Sequence, residues 1–263
     1  MSNADAVIAA LRSGFDDLAG RVSGLTDQQL AGPTGADEWD VSQVLSHLGS
    51  GAEIAQNTLQ VSLEGQPNPG VEFNKTVWAR YDAASPRERL DWFLAANEAL
   101  TQSFESLSEE TRSSLKIDMG FLPFPVDVAT AASYRLNELA LHSWDVRVGF
   151  DPAATLAPEA TEHLLALAGN LAGFLGKADA LDGMTAVIAV TTTDPGQAWT
   201  LSLGEKVTVS AGAPEQADGA LTLPAEAWVR LLTGRLKPQY TPETIAATGA
   251  ASLDLLRRVF PKF

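Results

Sequence analysis

The stretch VDVATAASYRLNELALHSWDVRVG, residues 126–149, carries the most information about the fold. Its apolar residues recur at helical spacing, so a helix runs from about Val126 to Val148, and Gly149 ends it. Leu136, Leu139 and Val146 form an apolar stripe. Beside it runs a polar stripe of Tyr134, Glu138, His142 and Asp145, spaced by three or four residues. Glu138 and His142 therefore share one face, about one turn apart. In a helical bundle, inward-facing His and Glu on two helices are a standard way to build a metal site.

Working toward the N-terminus, the same periodicity recurs three times. Ile8, Leu11, Phe15, Leu18, Val22 and Leu25 make the core face of a helix opened by Val7. Gly32-Pro33-Thr34-Gly35 breaks the pattern. A second helix begins near Asp40, where Asp37, Glu38 and Asp40 suit the positive end of the helix dipole. Its stripe is Val41, Val44, Leu45, Leu48, Ala52, Ala55 and Leu59, with His47 at the stripe's edge. After a loop at residues 65–70, Ser85, Pro86 and Glu88 spell an N-cap, a first-turn proline and a capping box. Leu90, Phe93, Leu94, Asn97, Leu100, Phe104 and Leu107 follow on one side. Four amphipathic helices of this length predict a four-helix bundle over residues 1–150.

Beyond Asp151-Pro152 the pattern changes. One more helical stretch, Pro158 to Leu175, precedes short runs rich in Val, Ile and Thr. Residues 185–193, 199–203, 207–210 and 219–223 read as strands, with a turn at Asp194-Pro195-Gly196 and a hairpin around Gly204-Glu205-Lys206. Ala225 to Leu232 and Ser252 to Phe260 read as helices. Residues 151–263 thus form a small α+β domain, and the chain as a whole is α+β.

Composition removes several function classes. The net charge of -15 repels phosphate backbones and excludes nucleic acid as a partner. With no cysteine, disulfides, thiolate-ligated zinc and a cysteine nucleophile are all ruled out. MSNADAVIAALRSGF has no basic leader and reads as an amphipathic helix, and Leu164 to Leu175 is too short to span a bilayer. The expected setting is cytoplasmic, without a membrane partner.

Only three histidines are present. A Glu138/His142 pair is compatible with a surface ion pair or with half of a metal site. His47 is compatible with a hydrogen-bonded core position or with a ligand, and His163, between acids and early in a helix, reads as a surface residue.

Two segments decide between these. Asp37-Glu38-Trp39-Asp40-Val41 through Ser46-His47-Leu48 resembles the Trp–x–Val…His–Leu signature of the mycothiol-dependent maleylpyruvate isomerase family, part of the DinB-like metal-binding superfamily. Arg135 to Asp145 resembles its second motif, Glu–x–x–x–His–x–x–Asp. Leu223 to Trp228, Leu232 to Leu236 and Leu256 to Pro261 are similar to its sterol-carrier-type domain. The resemblance implies an N-terminal DinB-like bundle and a C-terminal sterol-carrier-like domain. It also implies that His47, Glu138 and His142 ligate one divalent metal, with zinc favoured over iron. Two imidazoles and a carboxylate leave coordination positions open, as a catalytic site requires.

The resemblance further implies mycothiol as cofactor and a small electrophilic substrate. A metal-bound thiolate would add to a cis double bond and leave after rotation, or stay attached in an S-transferase. Asp145 is expected to orient His142 or to be a helix-face charge. Arg235 is expected to meet an anionic group of substrate or cofactor, or to be a surface cation. Trp39 and Trp144 flank the ligands and are expected to pack in the interior, with shielding of the site from water as a secondary role. Two other classes remain open: a non-catalytic protein binding metal and an apolar ligand, and a metal–water hydrolase.

Overall fold

The computed structural model describes residues 3–261, so Met1 and Ser2 of the N-terminal stretch lie outside the described residues. The chain divides into two compact units, Met1–Ala154 and Thr155–Phe263. The first contains α1 (Asn3–Val22), α2 (Asp27–Leu30), α3 (Val41–Leu63), α4 (Val71–Ala83), α5 (Pro86–Glu105), α6 (Glu109–Ser114) and α7 (Val128–Val148). Strands β1 (Lys116–Ile117) and β2 (Val126–Asp127) pair antiparallel just before α7. Helix α1 packs on α7 and α5, and α3 packs on α5 and α7, so the four long helices close a ring.

Local chemistry sets these boundaries. Asp40 caps α3 by accepting from the Gln43 amide at 2.8 Å, and Gln43 returns a bond to the Asp40 amide. Ser85 and Glu88 form the same reciprocal box at α5, behind Pro86. Asp127 caps α7 through the Thr130 amide at 2.8 Å, so Val126 belongs to β2 and the helix starts two residues later than its periodicity indicates. The apolar stripes enter the core: Leu11, Leu18, Val44, Leu48, Phe93, Leu100, Leu136 and Leu139 are all buried. Gly49 permits the tight approach of α3, because a Cβ there would lie 2.7 Å from the Tyr81 ring.

Helix α4 has no counterpart in the sequence reading. Only Val77 and Tyr81 of its residues are buried, and Gly70 offers no side-chain cap, so neither periodicity nor capping marks it.

The second unit contains α8 (Pro158–Leu165), α9 (Ala168–Leu175), β3 (Ala186–Thr193), β4 (Gln197–Leu203), β5 (Thr208–Ala211), β6 (Gly219–Pro224), α10 (Ala225–Leu232), β7 (Ala246–Gly249) and α11 (Leu253–Val259). The expected single helix over residues 158–175 is therefore two. Strand order is β5-β4-β3-β6-β7, with β3 and β6 parallel and the other neighbours antiparallel. Ile188, Val190, Leu201 and Leu221 alternate inward with exposed or half-buried neighbours, as a one-sided sheet requires. Helix α10 packs against β6, β3, α8 and α9, and its Trp228 is fully buried. The molecule is thus α+β, a helical N-terminal unit followed by a sheet unit. Among the described residues, no helix is long and apolar enough to cross a membrane.

Candidate metal centre

Helices α3 and α7 supply the chemistry. His47 lies in the second turn of α3, and Glu138 and His142 lie one turn apart on α7. His47 Nε2 is 2.8 Å from Glu138 Oε2, and His142 Nε2 is 3.8 Å from the same oxygen. One ligand atom from each of the three residues falls within 4.8 Å of the others. The imidazole rings meet edge-on, with centroids 4.7 Å apart.

The donor set fits a divalent cation. A tetrahedral ion with ligand bonds of about 2.0–2.1 Å spaces its donors roughly 3.3 Å apart, between the two separations to Glu138. The side chains of His47 and Glu138 keep 37% and 42% of their surface exposed, so the cluster is open on one side. His142 is more enclosed, and its Nδ1 is 2.9 Å from Asp145 Oδ2. Asp145 is buried, so it is no surface charge. The ring's other nitrogen, Nε2, is the one that faces Glu138. The Asp145 carbonyl accepts from the Gly35 amide at 2.7 Å, which ties the loop before α3 to this part of α7. A Cβ on Gly35 would sit 2.9 Å from Asp145 Oδ1, so the close approach depends on glycine.

The electrostatics favour an ionised carboxylate. Burial works to raise the Glu138 pKa, but the hydrogen bond to His47 and the charges of His142, His47 and Arg135 hold it down at about 2. Glu138 therefore stands as an anion at the centre of two imidazoles.

The remaining expected residues separate. Trp144 is buried and donates from Nε1 to the Ala154 carbonyl at 2.7 Å, as a packing residue does. Trp39, expected in the same packing role, is instead substantially exposed. Its ring lies 5.2 Å from His47 and 5.8 Å from His142, so it borders the open side of the cluster. Arg235 lies in the second unit, half-buried, with Nη1 3.3 Å from the Thr233 carbonyl. His163 is half-buried on α8.

Sequence reasoning passed over Arg135. It is buried, and its Nη2 donates to the Leu48 carbonyl at 2.7 Å and to Asn97 Oδ1 at 3.0 Å. The available signal was Asn97, a lone amide within the apolar stripe of α5.

A helical unit with a two-histidine, one-glutamate cluster, followed by an α+β sheet unit, defines the class. Residues 11–147 match the family described as mycothiol maleylpyruvate isomerase N-terminal domain, and the chain belongs to it. Residues 170–241 match the SCP-2 sterol transfer family. Two solved structures share the fold along the length of the chain. One is a mycothiol-dependent maleylpyruvate isomerase, 14% identical with a TM-score of 0.68, covering 99% of this chain and 97% of that one. The other is a histidine-to-alanine mutant of such an isomerase, 13% identical with the same score and coverage. No curated protein matches the chain in sequence.

Proposed function

We propose that the chain is a mycothiol-dependent isomerase of maleylpyruvate-type cis-unsaturated diacids, with a divalent cation, zinc by preference, on His47, Glu138 and His142. The observation that carries this is the convergence of those three donors from α3 and α7 within 4.8 Å, on a side that is open. Family membership supplies the thiol. The chain has no cysteine, so the sulfur nucleophile must be brought in.

When bound, the cation would lower the pKa of a thiol and present it as a thiolate to an electrophilic carbon. The chain's own residues do the rest. Glu138 and the two imidazoles supply three donors and leave positions open for sulfur and substrate. Asp145, against Nδ1 of His142, fixes the tautomer that leaves Nε2 free to ligate. Trp39 walls the open side with an aromatic face and limits water there. Arg235 is proposed to pair with a carboxylate of substrate or cofactor. A reduced thiol cosubstrate and a net charge of -15 accord with a cytoplasmic enzyme of small molecules that does not bind nucleic acid.

The test uses metal-loaded full chain and maleylpyruvate with no thiol, with glutathione, or with mycothiol. The trans isomer should form only with mycothiol, and Glu138→Ala should abolish it. A thioether product that accumulates would move the assignment to an S-transferase. Equal formation of the trans isomer without thiol would overturn the thiol dependence, and equal consumption of maleylpyruvate without thiol to cleavage products would move the assignment to metal–water hydrolysis.

A further inference from the structure

Arg135 sits three residues before Glu138 on α7, facing the interior of the bundle. Its Nη2 reaches the main-chain carbonyl of Leu48, the residue that follows His47 on α3, at 2.7 Å. The same nitrogen donates to Asn97 Oδ1 of α5 at 3.0 Å. Asn97 is itself held, donating from Nδ2 to the Phe93 carbonyl at 2.9 Å and to the Leu48 carbonyl at 3.4 Å. Its own carbonyl accepts from Thr101 at 2.8 Å. The other guanidinium nitrogen, Nη1, occupies room left by Gly51, where a Cβ would lie 2.9 Å away.

These partners are neutral oxygens. A guanidinium whose hydrogen bonds go only to neutral oxygens is incompletely compensated: burial lowers the Arg135 pKa to about 10 against the opposing charge of Glu138. Hydrocarbon of the same volume would pack there at less cost. A packing role alone does not account for an arginine. Its location does: one side chain bolts the helix of Glu138 and His142 to the backbone beside His47.

We infer that Arg135 is a positioning residue, setting the distance between His47 on α3 and the Glu138/His142 pair on α7 through its bond to the Leu48 carbonyl. This rests on reading the three residues as metal ligands. The geometry gives it leverage, because a metal site tolerates displacements of only a few tenths of an ångström in its donors.

The experiment compares full-length wild type with Arg135→Met, Gly51→Ala and Phe15→Leu. Phe15 is a buried residue of α1, a helix that carries no ligand, so its variant reports general loosening of the bundle. Each protein is titrated with Co2+ by visible absorption, and Zn2+ affinity is measured by chelator competition. Arg135→Met should weaken Zn2+ binding roughly 10–100-fold, the usual effect of losing a residue that supports metal ligands. It should also change the Co2+ spectrum, whereas Phe15→Leu should lower the unfolding temperature and leave the spectrum native. If Arg135→Met does not fold, Gly51→Ala decides, since its methyl group displaces the guanidinium without removing it. Native affinity and spectrum in the deciding variant would overturn the inference while leaving the metal site intact. The same spectral change in Phe15→Leu would overturn it as well. Wild type that takes up no Co2+ would instead bring down the metal-site reading itself.

Discussion

Two buried arginines, one in each unit, have opposite surroundings. Arg230 in α10 is fully paired: Nε and Nη2 meet both oxygens of Glu226 at 2.6 and 2.7 Å, and Nη1 donates to the Tyr240 carbonyl at 2.8 Å. Arg135 in α7 is equally removed from water, yet its hydrogen bonds go to neutral oxygens on two other helices. The first charge is neutralised within its own helix, one turn away, and is a structural pair. The second is left partly uncompensated, beside Glu138, in the bundle that carries the histidines. Burial by itself says little about purpose; what the guanidinium is paired with distinguishes a brace from a part of the site.

The largest expected effect lies in the second unit. Glu226→Ala strands the Arg230 charge in the interior, which should cost about 3–5 kcal/mol of stability in urea denaturation. A loss below about 1 kcal/mol would mean that the pair is dispensable and the contrast false.

Next in size is Gly35→Ala. Its Cβ would meet Asp145 Oδ1, Trp144 Cζ3 and Val148 Cγ1, each at 2.9 Å. Forced repacking of that kind costs about 1–3 kcal/mol, read as a lower denaturation midpoint. Because Asp145 is one of the displaced groups, Zn2+ affinity should fall in parallel. Unchanged affinity would show that the Asp145–His142 contact is not needed to hold the ligand.

Arg135→Met should change stability by less than about 2 kcal/mol, because the lost hydrogen bonds are offset by removal of a buried charge. Stability and metal affinity should therefore part company at 135 and fall together at 35. A large loss of stability at 135 would make Arg135 a brace after all, like Arg230.

The last effect concerns pH in the metal-free protein, where water screens the half-exposed Glu138 side chain. The Glu138 pKa is about 2 in the folded chain, below the ordinary carboxylate value. A depressed pKa contributes stability that is fully present above the ordinary value, near 4.5, and is lost as pH falls toward about 2. Glu138→Gln should flatten the fall of stability with acid over that window. An identical slope in both proteins would remove the ionised Glu138 from the account.

How far the sequence reaches varies with the kind of signal. The four long helices were legible because Leu, Val and Phe repeat every three to four residues and because Ser85, Asp40 and Gly149 mark their ends. Helix α4 was not, since it buries only Val77 and Tyr81 and lacks a side-chain cap. The β1–β2 ladder is two residues long on each side, too short for any alternation to register. At the site, Glu138 and His142 were legible through their spacing within one helix. The approach of His47 to them, across 91 positions of sequence, was implied only by family resemblance. Arg135 was hidden for a different reason: a charged residue next to Leu136 reads as a solvated face, and only the packing of α3 and α5 around it shows that it points inward.

The claim on which the rest depends is that His47, Glu138 and His142 together hold one cation. Elemental analysis of the purified full chain and of the His47→Ala, Glu138→Ala and His142→Ala variants, each checked for native helical content by circular dichroism, tests it directly. About one divalent metal per wild-type chain is expected, with each folded variant losing most of it, because two remaining donors hold a cation weakly. Stoichiometric metal in all three variants, or none in a wild-type chain given excess Zn2+, would contradict the account.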